Sequence, residues 1–117
     1  MRLGMVGSSA GNGHPYSWSS IINGHNSQRI DSVPFLAIRK YLPEAPVIGP
    51  TIDASVTHVW DPDPRETRRI ADLAMIPVVA HSLEELVRNV DAVIHARDDY
   101  SNHADYIQIY SEYRKPV

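Results

Sequence analysis

The chain has 117 residues, no cysteine, and 11 basic against 14 acidic side chains, for a formal net charge of −3. That length holds one domain with a single core. The missing cysteines exclude disulfides, thiolate metal sites and cysteine nucleophiles, and the charge balance gives no electrostatic case for a nucleic-acid partner.

No apolar stretch reaches the roughly 18 residues that a bilayer span needs. The N-terminus lacks the apolar core of a signal peptide, so a soluble cytoplasmic protein with no membrane partner is expected.

Arg2–Val6 opens the chain as a short apolar run, with Leu3, Met5 and Val6 reading as a buried first strand. It discharges into Gly7-Ser-Ser-Ala-Gly-Asn-Gly13 and then into His14-Pro-Tyr-Ser-Trp18. A strand, a glycine-rich turn and a helix in that order form the front edge of a nucleotide site. Glycines let the backbone approach a pyrophosphate, and the helix end offers free N–H groups. Tyr16–Asn23 predicts that helix, with Trp18, Ile21 and Ile22 at helical spacing and Gly24 as its stop.

From about residue 26 to 54 the period is lost, and Pro34, Pro43, Pro46 and Pro50 break the pattern, with a short helix expected over Phe35–Leu42. This proline-rich stretch reads as an insertion or long loop, of the kind that carries function or is partly mobile.

Val56–Trp60 is a β-branched, aromatic second strand that ends in Asp61-Pro-Asp-Pro64. Asp63 is placed to cap a helix running to about Ala74, with Pro64 first and Glu66 closing a capping box. Pro77–Ala80 is a short third strand. Ser82 and Glu85 make a second box ahead of a helix that buries Leu83, Leu86 and Val87. Asp91–Ala96 is a fourth strand, and Asp98–His103 leads into a last helix that packs Ala104, Ile107 and Tyr110.

This alternation predicts an α/β fold: a Rossmann-like three-layer sandwich, with helices on both faces of a parallel sheet. Arg114–Val117 is the turn that feeds a fifth strand, so the sheet is expected to stop at the start of strand five. That leaves one open edge for a partner or a second copy.

Asp61 holds the position from which a carboxylate accepts both ribose hydroxyls of an adenosine, which favours NAD. Arg65, Arg68 and Arg69 follow it, keeping NADP open. The glycines run Gly7-x3-Gly11-x-Gly13 instead of G-x-G-x-x-G, and the insertion carries Asp61 far beyond the usual gap of about 20 residues. The plain alternative is a turn that only packs a helix on a sheet.

His14 reads either as a contact to phosphate or nicotinamide, or as a loop imidazole bonded to backbone. Tyr16 and Trp18 read as packing residues, His58 and His95 as buried hydrogen-bonded imidazoles, and His25 and His81 as surface or cap residues. Asp98, Asp99 and His103 have the donor types of a divalent-metal site. An acidic helix start accounts for them better, so no metal ligand is assigned.

Gly11-Asn-Gly-His-Pro-Tyr-Ser-Trp18, Thr57-His-Val-Trp-Asp-Pro-Asp63, Val90-Asp-Ala-Val-Ile-His-Ala-Arg-Asp-Asp99 and the Asn102-His103 pair occur in this order along the chain. With the insertion, they resemble the glucose–fructose oxidoreductase / inositol dehydrogenase / MocA family, in a branch with an extended first β-α unit. The resemblance implies an N-terminal Rossmann domain that binds NAD or NADP and serves redox chemistry on a sugar- or inositol-like alcohol or ketone.

By the same resemblance, Gly7, Ser8, Ser9, Gly11, Asn12 and Gly13 would face the pyrophosphate, and Asp61 the adenosine ribose. Ala96, Arg97 and Asp98 would border the nicotinamide side, and His103 would match the histidine that starts the next helix. Asp98-Asp99-Tyr100 stands where the family often has Thr-Pro-Asn. The family's Glu-Lys-Pro motif, with its catalytic lysine, would follow strand five, and its substrate domain would follow that. No catalytic residue is therefore assigned, and the chain alone is expected not to turn over. The rival expectation is a non-catalytic Rossmann-like module that associates through its unfinished sheet edge.

Overall fold

The computed structural model describes residues 1–117. β1 (Arg2–Val6) alternates its side chains between two helical layers, with Leu3 and Met5 in one apolar cluster and Val6 in the other. β2 (Ser55–Trp60), β3 (Val78–Val79) and β4 (Ala92–His95) complete a four-stranded sheet in the order β3-β2-β1-β4, parallel at every pairing. β1 thus separates strands that come from opposite directions in the chain order. Ligands of open α/β sheets bind at this kind of reversal, outside the carboxyl ends of the strands.

On one face lie α1 (His14–Asn23), α2 (Leu36–Tyr41), α3 (Gly49–Ile52) and α4 (Pro64–Ala74). Tyr16, Ile22, Ile70 and Leu73 there cover Leu3, Met5, Val56 and Val59. On the other face, α5 (Leu83–Asn89) and α6 (His103–Glu112) bring Leu86, Val87, Tyr106 and Tyr110 against Val6 and Val93. The core is therefore two clusters divided by the sheet, as a three-layer sandwich requires.

The proline-rich insertion is built into the first cluster and is not a plain loop. It folds as a 3-10 turn over Ser27–Ser32, α2, a second turn over Leu42–Glu44, and α3. These pieces bury Val33, Ile38 and Leu42. Asn26 starts the run by accepting from the Gln28 N–H while its own N–H donates to the Leu73 carbonyl. Asn23 fixes the end of α1 by bonding both backbone groups of Val56 and the carbonyl of Ala74.

The helix starts hold with two corrections. Asp63 caps α4 through the Arg65 N–H at 2.9 Å, but Glu66 turns away to accept from the Tyr16 hydroxyl at 2.6 Å and from Arg69 at 2.8 Å. Its capping box stays open because a buried phenol is the better partner. Ser82 caps α5 through the Glu85 N–H, and Glu85 reaches back one residue further than a box requires, to the His81 N–H.

The last helix is rotated relative to expectation. Ala104 and Ile107 are exposed, while Tyr106 and Tyr110 are buried against His95. Beside β4, the Val93 N–H donates to the Pro116 carbonyl and Lys115 Nζ donates to the Val90 carbonyl.

Candidate functional site

The turn after β1 is shaped by what surrounds it. A Cβ at Gly7 would collide with the Pro15 ring, whereas Gly11 has a φ of +76° and no atom near its missing Cβ. Only glycine takes that backbone angle without strain. Asn12 ties the turn down: its amide donates to the Ala96 carbonyl at 2.6 Å, and its oxygen accepts from the His14 N–H at 3.0 Å.

This changes where anion donors lie. Pro15 has no N–H, and those of Tyr16 and Ser17 bond to the Gly13 carbonyl, so the first turn of α1 keeps no spare donor. Within the turn itself, the N–H groups without a partner in the chain are those of Ser9, Ala10, Gly11 and Gly13.

Two clefts flank the turn at the carboxyl ends of the strands. One, of about 430 Å³, lies between the turn, Phe35 and the residues after β2, including Asp61, Asp63 and Glu66. The other, of about 280 Å³, lies between the turn, His14 and Trp18 on α1, and His95–Asp98 at the end of β4. Gly11, Asn12 and Arg97 line both. A further void of about 450 Å³ opens at the opposite end of the sheet, among Met1, Val47, Gly49 and Met75, with Asp53 its one ionisable side chain.

Asp61 is 6% exposed. Its Oδ2 accepts from the Ser8 N–H, and its Oδ1 accepts from the Asp63 N–H at 2.7 Å. Burial raises its pKa to about 6, with the Asp63 N–H and Arg97 pulling the other way. Oδ1 carries that one bond, which leaves it acceptor capacity to spare, and Asp61 is among the residues that line the larger cleft.

Arg97 joins three strand ends. Its Nη1 donates to the Ser8 carbonyl and lies 3.4 Å from Asp61, while Nε and Nη2 clasp Asp99 at 2.9 and 2.7 Å. The guanidinium also lies over the Tyr106 ring, 5.7 Å from its centre. Beside this cation, the Asp99 carboxyl is held well below the usual range. Ser9 donates its hydroxyl to Asp98 and accepts from the Asp98 N–H at 3.2 Å.

The acidic residues after β4 are thus spent on holding the turn, and no cluster of His, Asp or Glu with metal-binding geometry forms. His103 lines neither cleft. It stacks edge-on against His95 at 5.0 Å, with Nε2 3.3 Å from the Arg97 carbonyl.

The remaining residues divide plainly. His58 pairs with the Thr57 hydroxyl, and His95 with the Tyr110 hydroxyl at 2.8 Å. The Nε2 of His95 is buried without a partner, and burial lowers its pKa, which favours the neutral ring. Tyr16 is fully buried as expected, whereas Trp18 stays out of the core: it is 40% exposed and packs on its own helix, its ring tilted 50° against that of His14 with centroids 4.4 Å apart. The sequence signal for it was the four-residue spacing from His14, which puts both rings on one helix face beside the turn. Arg65, Arg68 and Arg69 line a separate groove with Arg29 and do not enter either cleft.

No protein-family model matches the chain, and no curated protein matches it. Among solved structures it is similar to a probable dehydrogenase from Thermotoga maritima, with a TM-score of 0.59 and 14% sequence identity. The match covers 98% of this chain and 26% of that protein, so the chain spans about a quarter of its length. With the parallel β3-β2-β1-β4 sheet, that likeness gives the chain a Rossmann-like α/β fold.

Proposed function

We propose that the chain is the nucleotide-binding unit of an NAD(P)-dependent oxidoreductase that acts on a sugar- or inositol-like alcohol or ketone. One observation carries the reading. Two clefts of different chemistry meet at a turn whose Ala10, Gly11 and Gly13 N–H groups lack partners, at the reversal point of a parallel sheet.

The residues fit such a ligand. Ala10 and Gly11 would donate to the diphosphate, Asn12 holds the turn that presents them, and Asp61 Oδ1 would accept from the adenosine ribose. Asp61 favours NAD over its 2′-phosphorylated form, since a phosphate there would meet a carboxylate. Bound nicotinamide would supply the hydride acceptor or donor, and the substrate class follows from the family resemblance. The Lys115 amine is bonded at the far end of β4, so the proton-handling group for a carbinol would come from outside the groove. The chain alone binds and does not turn over.

Calorimetry with NAD, NADH, NADP and NADPH tests this. Saturable binding is expected, weakened about tenfold or more by Asp61→Ala, the usual cost of losing a hydrogen bond to a charged group. Absence of binding by all four would overturn the reading and favour a non-catalytic module that associates through the β4 edge.

A further inference from the structure

Trp18 sits where the proposed nucleotide site has no established need for it. Its helix neighbours Tyr16, Ser17, Ser19 and Ser20 are buried, yet the largest side chain of α1 is left 40% exposed. A tryptophan ring held at the wall of a cleft is apolar area awaiting a partner.

Most of the polar side chains around it are already bonded within the chain, while the Gly11 N–H is open. Asn12 bonds Ala96 and His14, Arg97 bonds Asp99, Asp61 and Ser8, and Asp98 bonds Ser9. The smaller cleft offers a ligand the exposed Trp18 ring, with the His14 ring tilted against the indole at 4.4 Å, beside the open Gly11 N–H. The larger cleft carries the Phe35 ring and the carboxylates Asp61, Asp63 and Glu66, of which Glu66 is bonded to Tyr16 and Arg69 and Asp63 caps α4, so Asp61 is the acceptor it holds for a hydroxyl group. With the adenosine ribose at Asp61, the other end of a dinucleotide, its nicotinamide, falls in the smaller cleft.

Resting on the reading above, we propose that Trp18, backed by His14, is the platform on which the nicotinamide ring of the bound dinucleotide lies. The adenosine ribose then lies on the Asp61 side of the turn. Trp18 is a binding residue for the nicotinamide end.

The chain has two tryptophans, so Trp60→Phe leaves Trp18 as the sole indole reporter. Its emission is followed while NADH, NADPH or ADP is added to the full chain. Saturable quenching by a reduced dinucleotide, with energy transfer to its nicotinamide, is expected, whereas ADP binds without quenching. Trp18→Ala should weaken the dinucleotide about tenfold, within the range for removing a stacking partner, and leave ADP affinity unchanged. Trp18→Phe should restore most of the loss.

If Trp60→Phe fails to fold, loss of the energy transfer in Trp18→Phe, with Trp60 kept, reads the same contact. Equal quenching by ADP and NADH would overturn the proposal alone, as would unchanged NADH affinity in Trp18→Ala. Failure of NADH, NADPH and ADP all to bind would overturn the dinucleotide reading and the proposal together.

Discussion

Asp61 carries two opposing demands at the scale of one residue. Burial resists its charge, while the Ser8 and Asp63 N–H groups and Arg97 make that charge tolerable, and the balance leaves its pKa at about 6. A carboxyl raised from its ordinary value binds more protons folded than unfolded over this interval. Its contribution to stability therefore falls as the pH rises from about 4 to 6, by up to about 3 kcal/mol. Thermal unfolding of the wild type and Asp61→Asn over this range should show the wild type losing ground as the pH rises, and a constant difference would refute the assignment. Ligand binding has the opposite sign, since acidification below about 6 neutralises the ribose acceptor, so dinucleotide affinity should fall there.

Arg97 is the partner that makes this possible. Arg97→Met strands Asp61 and Asp99 and should cost about 3 kcal/mol in urea unfolding. Arg97→Lys should recover little, because an ammonium cannot clasp Asp99 with two parallel bonds. Asp61 was legible in the sequence as an acid closing a strand, but the arginine that neutralises it was not. Arg97 is distant in sequence, and only the parallel register of β1 and β4 brings it to Ser8.

Among the elements, those with a clear period or a cap were readable from the residues. Asp63 with Pro64 marks the start of α4, and Asp63→Ala should cost about 1 kcal/mol in thermal or chemical unfolding. Within the insertion the short helix expected over Phe35–Leu42 is found as α2, but the rest was unreadable because prolines interrupt every longer window, and its buried residues are spaced by short turns instead. Its status can be measured: Leu42→Ala should destabilise by about 3 kcal/mol if the segment is core, and by almost nothing if it is a mobile loop. α6 failed for another reason. The 3-10 turn over Tyr100–Asn102 sets where the helix begins, and His95 on β4 then selects Tyr106 and Tyr110 as the inward face.

For the molecule as a whole, the alternation of strands and helices was enough to predict the sheet and its two faces. Hydrophobic pattern reports which residues avoid water, and that is what the two clusters record. It is blind to the polar bonds that shape the groove, since Asn12, Ser9 and Asp98 act through atoms that no periodicity describes. The groove joins both layers, with α1 and α4 on one side and β4 leading to α6 on the other. A ligand bridging them stabilises the fold in proportion to its saturation, by about 2.7 kcal/mol at a hundredfold excess over its dissociation constant.

Gly13 closes the turn against the insertion: a methyl group there would press into the Phe35 ring and the tip of Ile38. The backbone of the turn and the proline-rich segment therefore share a tight steric seam. Changes in length or bulk between α1 and β2, far from any ligand in sequence, reach the turn through that seam. The segment that looked most like decoration in the sequence forms part of the mould in which the turn is cast.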